Sequence, residues 1–190
     1  EAAKKTAIAN KAKETLAMFQ MGLDRHKSGD LKSAASIYEE VLRRDPKNAE
    51  ALHLLGLVAY QAGQPAPAID FMSQAIALKP EAAAMYGNRG LALAAAGRHE
   101  DALADYDQAI ALQPDLAEPP HNRGVALQAL GRPEEAIASF DRALQLNPRN
   151  AGALNDRGAS LRALGRREDA LADYDAALAL DGRNVAAWYN

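Results

Sequence analysis

The sequence predicts an all-α fold, a solenoid built from antiparallel helix pairs, and two observations support this. The first is composition: hydrophobic residues make up 48% of the 190 residues but aromatic residues only 5%. Alanine and leucine therefore supply most of the apolar content, which favours helices over strands. The second observation is an internal period of 34 residues, which is typical of helix–turn–helix repeats.

The period is carried by small residues and by proline. Glycine recurs at Gly22, Gly56, Gly90, Gly124 and Gly158, alanine at Ala34, Ala68, Ala102, Ala136 and Ala170, and proline at Pro46, Pro80, Pro114 and Pro148. A glycine inside a helix costs about 1 kcal/mol relative to alanine. We therefore expect these glycines and alanines where two helices of a repeat approach too closely for a larger side chain.

The N-terminal segment, residues 1–14, is predicted to be helix rather than tail. Ile8, Ala12, Leu16 and Phe19 recur at spacings of three or four residues and form an apolar stripe. We expect this segment to extend or precede the first repeat helix and to cover its exposed end as a cap.

Five complete repeats follow, and a sixth begins. Their predicted bounds are 15–48, 49–82, 83–116, 117–150 and 151–184, with residues 185–190 as the start of a truncated sixth repeat. Pro65 and Pro133 stand where a second helix should begin, a place where a missing N–H does no harm. Trp188 and Tyr189, in the sixth repeat, are expected to lie on the last helix near Leu178 or to contact another molecule.

Counted from the start of each repeat, the pattern is glycine at position 8, alanine at position 20, a large and mostly aromatic residue at position 24, and alanine at position 27 of repeats 2–5. Position 24 reads Tyr38, Met72, Tyr106, Phe140 and Tyr174. With proline at position 32, this pattern resembles the tetratricopeptide repeat family. The resemblance implies a right-handed superhelix whose first helices line a concave groove that binds a protein or a peptide.

The same resemblance implies which side chains face the groove. They are His53, Leu57, Tyr60, Asn88, Leu91, His121, Asn122, Val125, Gln128, Asn155, Asp156 and Arg162. These residues form a mildly apolar surface with amides and few charges, which suits an extended peptide. Asn88 and Asn122 both occupy position 6, and we expect ligand binding to depend on them.

Arginine recurs at position 7, as Arg89, Arg123 and Arg157. These side chains could form a basic stripe that meets an acidic partner. We favour the alternative, in which each stem packs between repeats and each head pairs with an acid such as Asp105, Asp141 or Asp173.

Several classes of function are not expected. The chain has no cysteine, which excludes disulfides, thiolate metal sites and cysteine nucleophiles. Its four histidines are spread along the chain and no catalytic or metal-binding motif occurs, so we expect no enzyme, no metal site and no cofactor. A net charge of −3 argues against nucleic acid as a partner. No signal peptide or membrane-spanning run is present, so we expect no membrane insertion and a cytoplasmic location.

Two alternatives to a peptide-binding scaffold stay open. The chain also resembles in part the repeat arm of bacterial O-linked N-acetylglucosamine transferase-like proteins, which carries asparagine at position 6. Asn88, Asn122 and Asn190 match that ladder, whereas Gln20, Leu54 and Asp156 depart from it. The chain could thus be the substrate-recruiting arm of a larger transferase, or a structural solenoid that self-associates through its open ends.

Overall fold

The computed structural model describes the backbone of residues 2–181 and the side chains of residues 10–181. The described residues form ten α-helices and no strand. The helices are α1 Ala2–Lys27, α2 Leu31–Arg44, α3 Ala49–Gln61, α4 Pro65–Leu78, α5 Ala83–Ala95, α6 His99–Leu112, α7 Glu118–Ala129, α8 Pro133–Leu146, α9 Ala151–Ala163 and α10 Arg167–Leu180. The predicted all-α class is confirmed.

The chain divides into two compact bodies, Glu1–Ala92 and Leu93–Asn190. In the N-terminal body, α1 packs on α2, α2 on α3, and α3 on α4. In the C-terminal body, the packed pairs are α6 with α7, α7 with α8, α8 with α9, and α9 with α10. Because short turns join these consecutive helices, each body is a stack of antiparallel helix pairs.

Helix ends are defined by local side-chain chemistry. The side chains of Asp30, Asn48 and Asn150 each accept a hydrogen bond from a backbone N–H in the first turn of α2, α3 and α9. Pro65 and Pro133 are the first residues of α4 and α8, as the sequence predicts. In the turn before α8, Gly131 has φ 70°, a conformation that costs other residues free energy.

The periodic small residues lie where the two helices of a repeat meet. A β-carbon on Gly124 would lie 2.5 Å from Phe140 Cε1, and one on Gly158 would lie 2.6 Å from Tyr174 Cε1. The alanines at position 20 are buried in every repeat: Ala34, Ala68, Ala102, Ala136 and Ala170. The expectation that these small residues permit close helix contact is confirmed at these positions.

The N-terminal segment is helical, as predicted, and continuous with the first repeat helix in α1. Its apolar stripe does not pack along its whole length, because Leu16 is 68% exposed. Phe19 does pack, with its ring centroid 6.0 Å from that of Tyr38. Glu14 forms an exposed ion pair with Arg44, the last residue of α2. With 26 residues against 14, α1 is the longer helix of this pair.

At the C-terminal end of the chain, the sequence predicts the start of a sixth repeat. The expected sixth repeat, with Trp188 and Tyr189, lies outside the described residues. On α10, the last described helix, Leu171 is 61% exposed.

None of the helices in the described part of the chain is both long and apolar enough to cross a bilayer. The repeat bounds, the superhelix handedness and the N-terminal cap stay predictions.

Candidate functional site

The twelve predicted groove residues all lie on first helices of repeats, and we call their surface the first-helix face. In the N-terminal body this face comprises His53, Leu57 and Tyr60 on α3, and Asn88 and Leu91 on α5. In the C-terminal body it comprises His121, Asn122, Val125 and Gln128 on α7, and Asn155, Asp156 and Arg162 on α9.

In the N-terminal body, a hydrogen bond joins neighbouring first helices. Asn88 Nδ2 lies 2.8 Å from His53 Nε2. Because an amide nitrogen can only donate, the imidazole Nε2 accepts and His53 is neutral in this contact. Burial lowers the pKa of His53, which favours the same neutral form. The Nδ2 of Asn88 is thus used in this contact between helices. Its Oδ1 accepts no side-chain hydrogen bond from the described residues of this body.

Apolar side chains accompany this pair. Leu57 and Leu91 both occupy position 9, one on α3 and the other on α5, and both are half-buried. Tyr60, one turn after Leu57, is also half-buried. The N-terminal part of the face therefore offers apolar surface next to an amide oxygen that can accept a hydrogen bond.

In the C-terminal body, Asp156 is the centre of a polar network. Its Oδ2 lies 2.9 Å from His121 Nε2, and its backbone oxygen accepts from Gln128 Nε2 at 2.7 Å. Gln128 also donates to Ser160 Oγ at 2.9 Å. These contacts tie α7 to α9. Asn155 is buried and donates a hydrogen bond to Asp156 Oδ1, so its side chain contributes to the network from the interior of the body.

Asn122 differs from Asn88, although both stand at position 6. It is half-buried, and within the C-terminal body its amide makes no side-chain hydrogen bond. Val125, one turn further along α7, is 43% exposed. Arg162 is exposed near the end of α9. This part of the face presents an amide that makes no side-chain hydrogen bond with the described residues of its body, beside an exposed apolar side chain.

The position-7 arginines are structural, as we favoured from the sequence. Arg157 donates through Nε and Nη2 to both carboxylate oxygens of Asp173, at 2.8 and 2.6 Å, and through Nη1 to Asp141. Arg123 donates to Asp107 at 2.7 Å and to Ser139 Oγ at 2.8 Å. These arginines therefore link second helices and do not form a free basic stripe.

Some acceptors of these arginines were missed. Ser73, which accepts from Arg89 at 3.0 Å, and Asp107 were not among the predicted partners. Each stands sixteen residues before its arginine, as Asp141 does before Arg157. That constant spacing was present in the sequence and could have identified them.

Among the described residues, no group of three or more histidine, cysteine, aspartate or glutamate side chains is placed to hold a metal ion. The face therefore consists of apolar, amide and paired polar groups. Such an arrangement can bind a polymer with both a polar backbone and apolar side chains, such as an extended peptide.

Comparisons with known proteins identify the repeats. Models described as tetratricopeptide repeat match residues 19–82 and 121–150, and a model described as TPR repeat matches residues 90–131. No curated protein sequence matches the chain.

Solved structures share the fold. A crystal structure of the MamA protein is 25% identical, with a TM-score of 0.79 over 89% of this chain and 92% of that one. The PilF protein of Pseudomonas aeruginosa is 23% identical, with a TM-score of 0.83 over 94% of this chain and 81% of that one. YrrB, described as a TPR protein with an unusual peptide-binding site, is 21% identical, with a TM-score of 0.78 over 97% and 95%. These likenesses confirm the predicted α-solenoid of helix pairs.

Proposed function

The chain belongs to the tetratricopeptide repeat family, and from that premise we propose that it binds an extended peptide segment of a partner protein on its first-helix face. That the chain is a protein-interaction module follows from the family and its structural relatives. That YrrB is described as having a peptide-binding site adds support. The choice of face and of an extended peptide is our proposal.

One observation supports the proposal most strongly. On each body, a partly exposed apolar side chain at position 9 accompanies an asparagine with unused hydrogen-bonding capacity: Leu91 with Asn88, and Val125 with Asn122. A side-chain amide can pair with the N–H and C=O of a peptide backbone of any sequence. The neighbouring apolar side chains would then contact alternate side chains of that peptide.

The residues of the face have different roles in this proposal. Asn122 would both donate to and accept from the peptide backbone, whereas Asn88 would accept through Oδ1. The pairs His53–Asn88 and His121–Asp156 hold neighbouring first helices in register. Leu57, Tyr60 and Gln128 complete the contact surface.

We do not propose a catalytic role, since the family models that match describe repeats alone. The net charge of −3 supports protein rather than nucleic acid as the partner. The transferase arm, self-association and the cytoplasmic location stay predictions.

The test is a double variant at the two asparagines. A peptide is first selected against the parent chain from a random displayed library, and its affinity is measured by calorimetry. We expect N88A/N122A to lose about 1–3 kcal/mol of affinity, at about one net hydrogen bond per site.

N122A alone should leave the stability of the fold unchanged or slightly higher, because asparagine has poor helix propensity. N88A should lower stability by about 1 kcal/mol, since it removes the bond to His53.

Gln108 provides the matched control, because it is exposed on a second helix, α6. The Q108A variant should bind the selected peptide as the parent does. A double variant that is fully helical by circular dichroism and binds the peptide as tightly as the parent would contradict the assignment of the face.

A further inference from the structure

Two crevices lie between second helices of neighbouring repeats, one in each body. The first has a volume of about 350 Å³, lies between α2 and α4 over α3, and includes Ala35, Glu39, Leu55 and Phe71 in its lining. We call it the apolar crevice. The second has a volume of about 310 Å³, lies between α8 and α10 over α9, and is called the ionic crevice. Its lining includes Ile137, Asp141, Arg157 and Asp173.

The two crevices are the same place in the repeat. Ile137, Asp141, Arg157 and Asp173 follow Ala35, Glu39, Leu55 and Phe71 by three periods of 34 residues each. The four residues therefore occupy the same repeat positions in both crevices, and the crevices differ in the side chains at those positions.

In the ionic crevice, the chain satisfies its own charges. Arg157 lies between Asp141 and Asp173 and donates to both. In the apolar crevice, Leu55 replaces the arginine and Phe71 replaces the buried aspartate, but the acid at the third place is retained as Glu39. Glu39 is exposed and forms no ion pair with any residue that the structure describes. The apolar crevice thus keeps a carboxylate that forms no ion pair with a cation among the described residues.

We propose that the apolar crevice binds a segment of a partner protein that carries a bulky apolar side chain close to an arginine. The apolar side chain fills the cavity against Leu55 and Phe71. The guanidinium pairs with Glu39, in the way that Arg157 pairs with Asp141 in the ionic crevice. None of the crevice's lining residues belongs to the first-helix face, so this is a second binding surface, independent of the proposed peptide site.

The chemistry of the partner follows from the lining. A cavity of about 350 Å³ falls in the range of small ligand sites and is large enough for an aromatic or a large aliphatic side chain. Arginine fits Glu39 better than lysine because its planar guanidinium can donate two parallel hydrogen bonds to one carboxylate. Lys32, also on the crevice lining, would repel a second cation and so limits the partner to one arginine.

The first test uses a blocked peptide, acetyl-Ala-Trp-Ala-Arg-Ala-amide, titrated into the chain with labelled methyl groups. We expect saturable chemical-shift changes at Leu31, Leu55 and Val58, which line the apolar crevice, and none at Ile137 and Leu161, which line the ionic one. Replacing the peptide's tryptophan by alanine should weaken binding at least about tenfold, and replacing its arginine by glutamate about fivefold. Shifts confined to Leu57 and Leu91, or no saturable shift, would overturn the proposal.

The second test changes the chain. L55R/F71D places in the apolar crevice the pair found at Arg157 and Asp173, with Glu39 in the place of Asp141, and should abolish binding of the peptide. E39Q keeps the fold in any case, because Glu39 is exposed and has no structural partner among the described residues. It should weaken binding of the arginine peptide about fivefold and leave that of the glutamate peptide no weaker. An E39Q variant with parent affinity for the arginine peptide contradicts the proposal, whether or not L55R/F71D folds.

Discussion

The R157L variant will unfold at lower urea concentration than the parent, with a loss of about 2–4 kcal/mol in the free energy of unfolding. Arg157 donates two hydrogen bonds to Asp173, whose side chain is only 9% exposed. Leucine leaves that carboxylate buried without a cation. Breaking a buried pair by removing one partner costs more than the pair contributes, because the remaining charge is desolvated and unpaired. Asp141 is half-exposed and can be solvated, so it adds little to the loss.

A second substitution separates the ion pair from general packing. The R157L/D173F double variant copies the side chains of Leu55 and Phe71 into the equivalent crevice, and should restore all but about 1 kcal/mol of the loss. The control is R166L, which removes an exposed partner of Asp169 and should change stability by no more than about 0.5 kcal/mol. If R157L and R166L had equal effects in urea denaturation, the buried pair would have no special role.

Alanine at Gly124 and alanine at Gly87 should change stability in opposite directions. A β-carbon on Gly124 would lie within 2.7 Å of three atoms of the Phe140 ring, which is fully buried. We expect G124A to cost about 1–3 kcal/mol through overpacking. A β-carbon on Gly87 would meet no atom within 4 Å, so G87A should add about 0.5–1 kcal/mol through helix propensity alone.

Thermal and urea unfolding of both variants measure this contrast. Both variants replace glycine by alanine in a first helix, so both gain the same helix propensity. The difference between their stabilities therefore measures the contact of residue 124 with the second helix. A stabilising G124A would mean that Phe140 does not pack against Gly124 in solution.

The sequence predicts the helices and their closest contacts well, because both arise inside one repeat. The spacing of sixteen residues between Gly124 and Phe140, and between Gly158 and Tyr174, joins the two helices of one pair. Glycine and a large ring have complementary sizes, so their periodic pairing is visible in the sequence. The first helices follow from the same period.

Contacts between repeats are harder to predict, since they depend on how one repeat is rotated against the next. The predicted asparagine ladder gives Asn88 and Asn122 the same role, but the Nδ2 of Asn88 already donates a hydrogen bond to His53 of the preceding repeat. Unlike the sixteen-residue spacing of the arginine acceptors, the pattern at position 6 does not show which side chain Asn88 meets across that boundary. The stripe on α1 fails at Leu16 for a related reason, because periodicity indicates an apolar side chain but not whether a neighbouring helix reaches it.

The central claim is that the chain binds an extended peptide on its first-helix face, and methyl chemical-shift mapping with the library-selected peptide tests it most directly. The claim predicts saturable shifts at Leu57, Leu91 and Val125, which lie on α3, α5 and α7, while Leu31 and Leu55 in the apolar crevice stay unchanged. A selected peptide that binds tightly but shifts none of the first-helix methyl groups would contradict it.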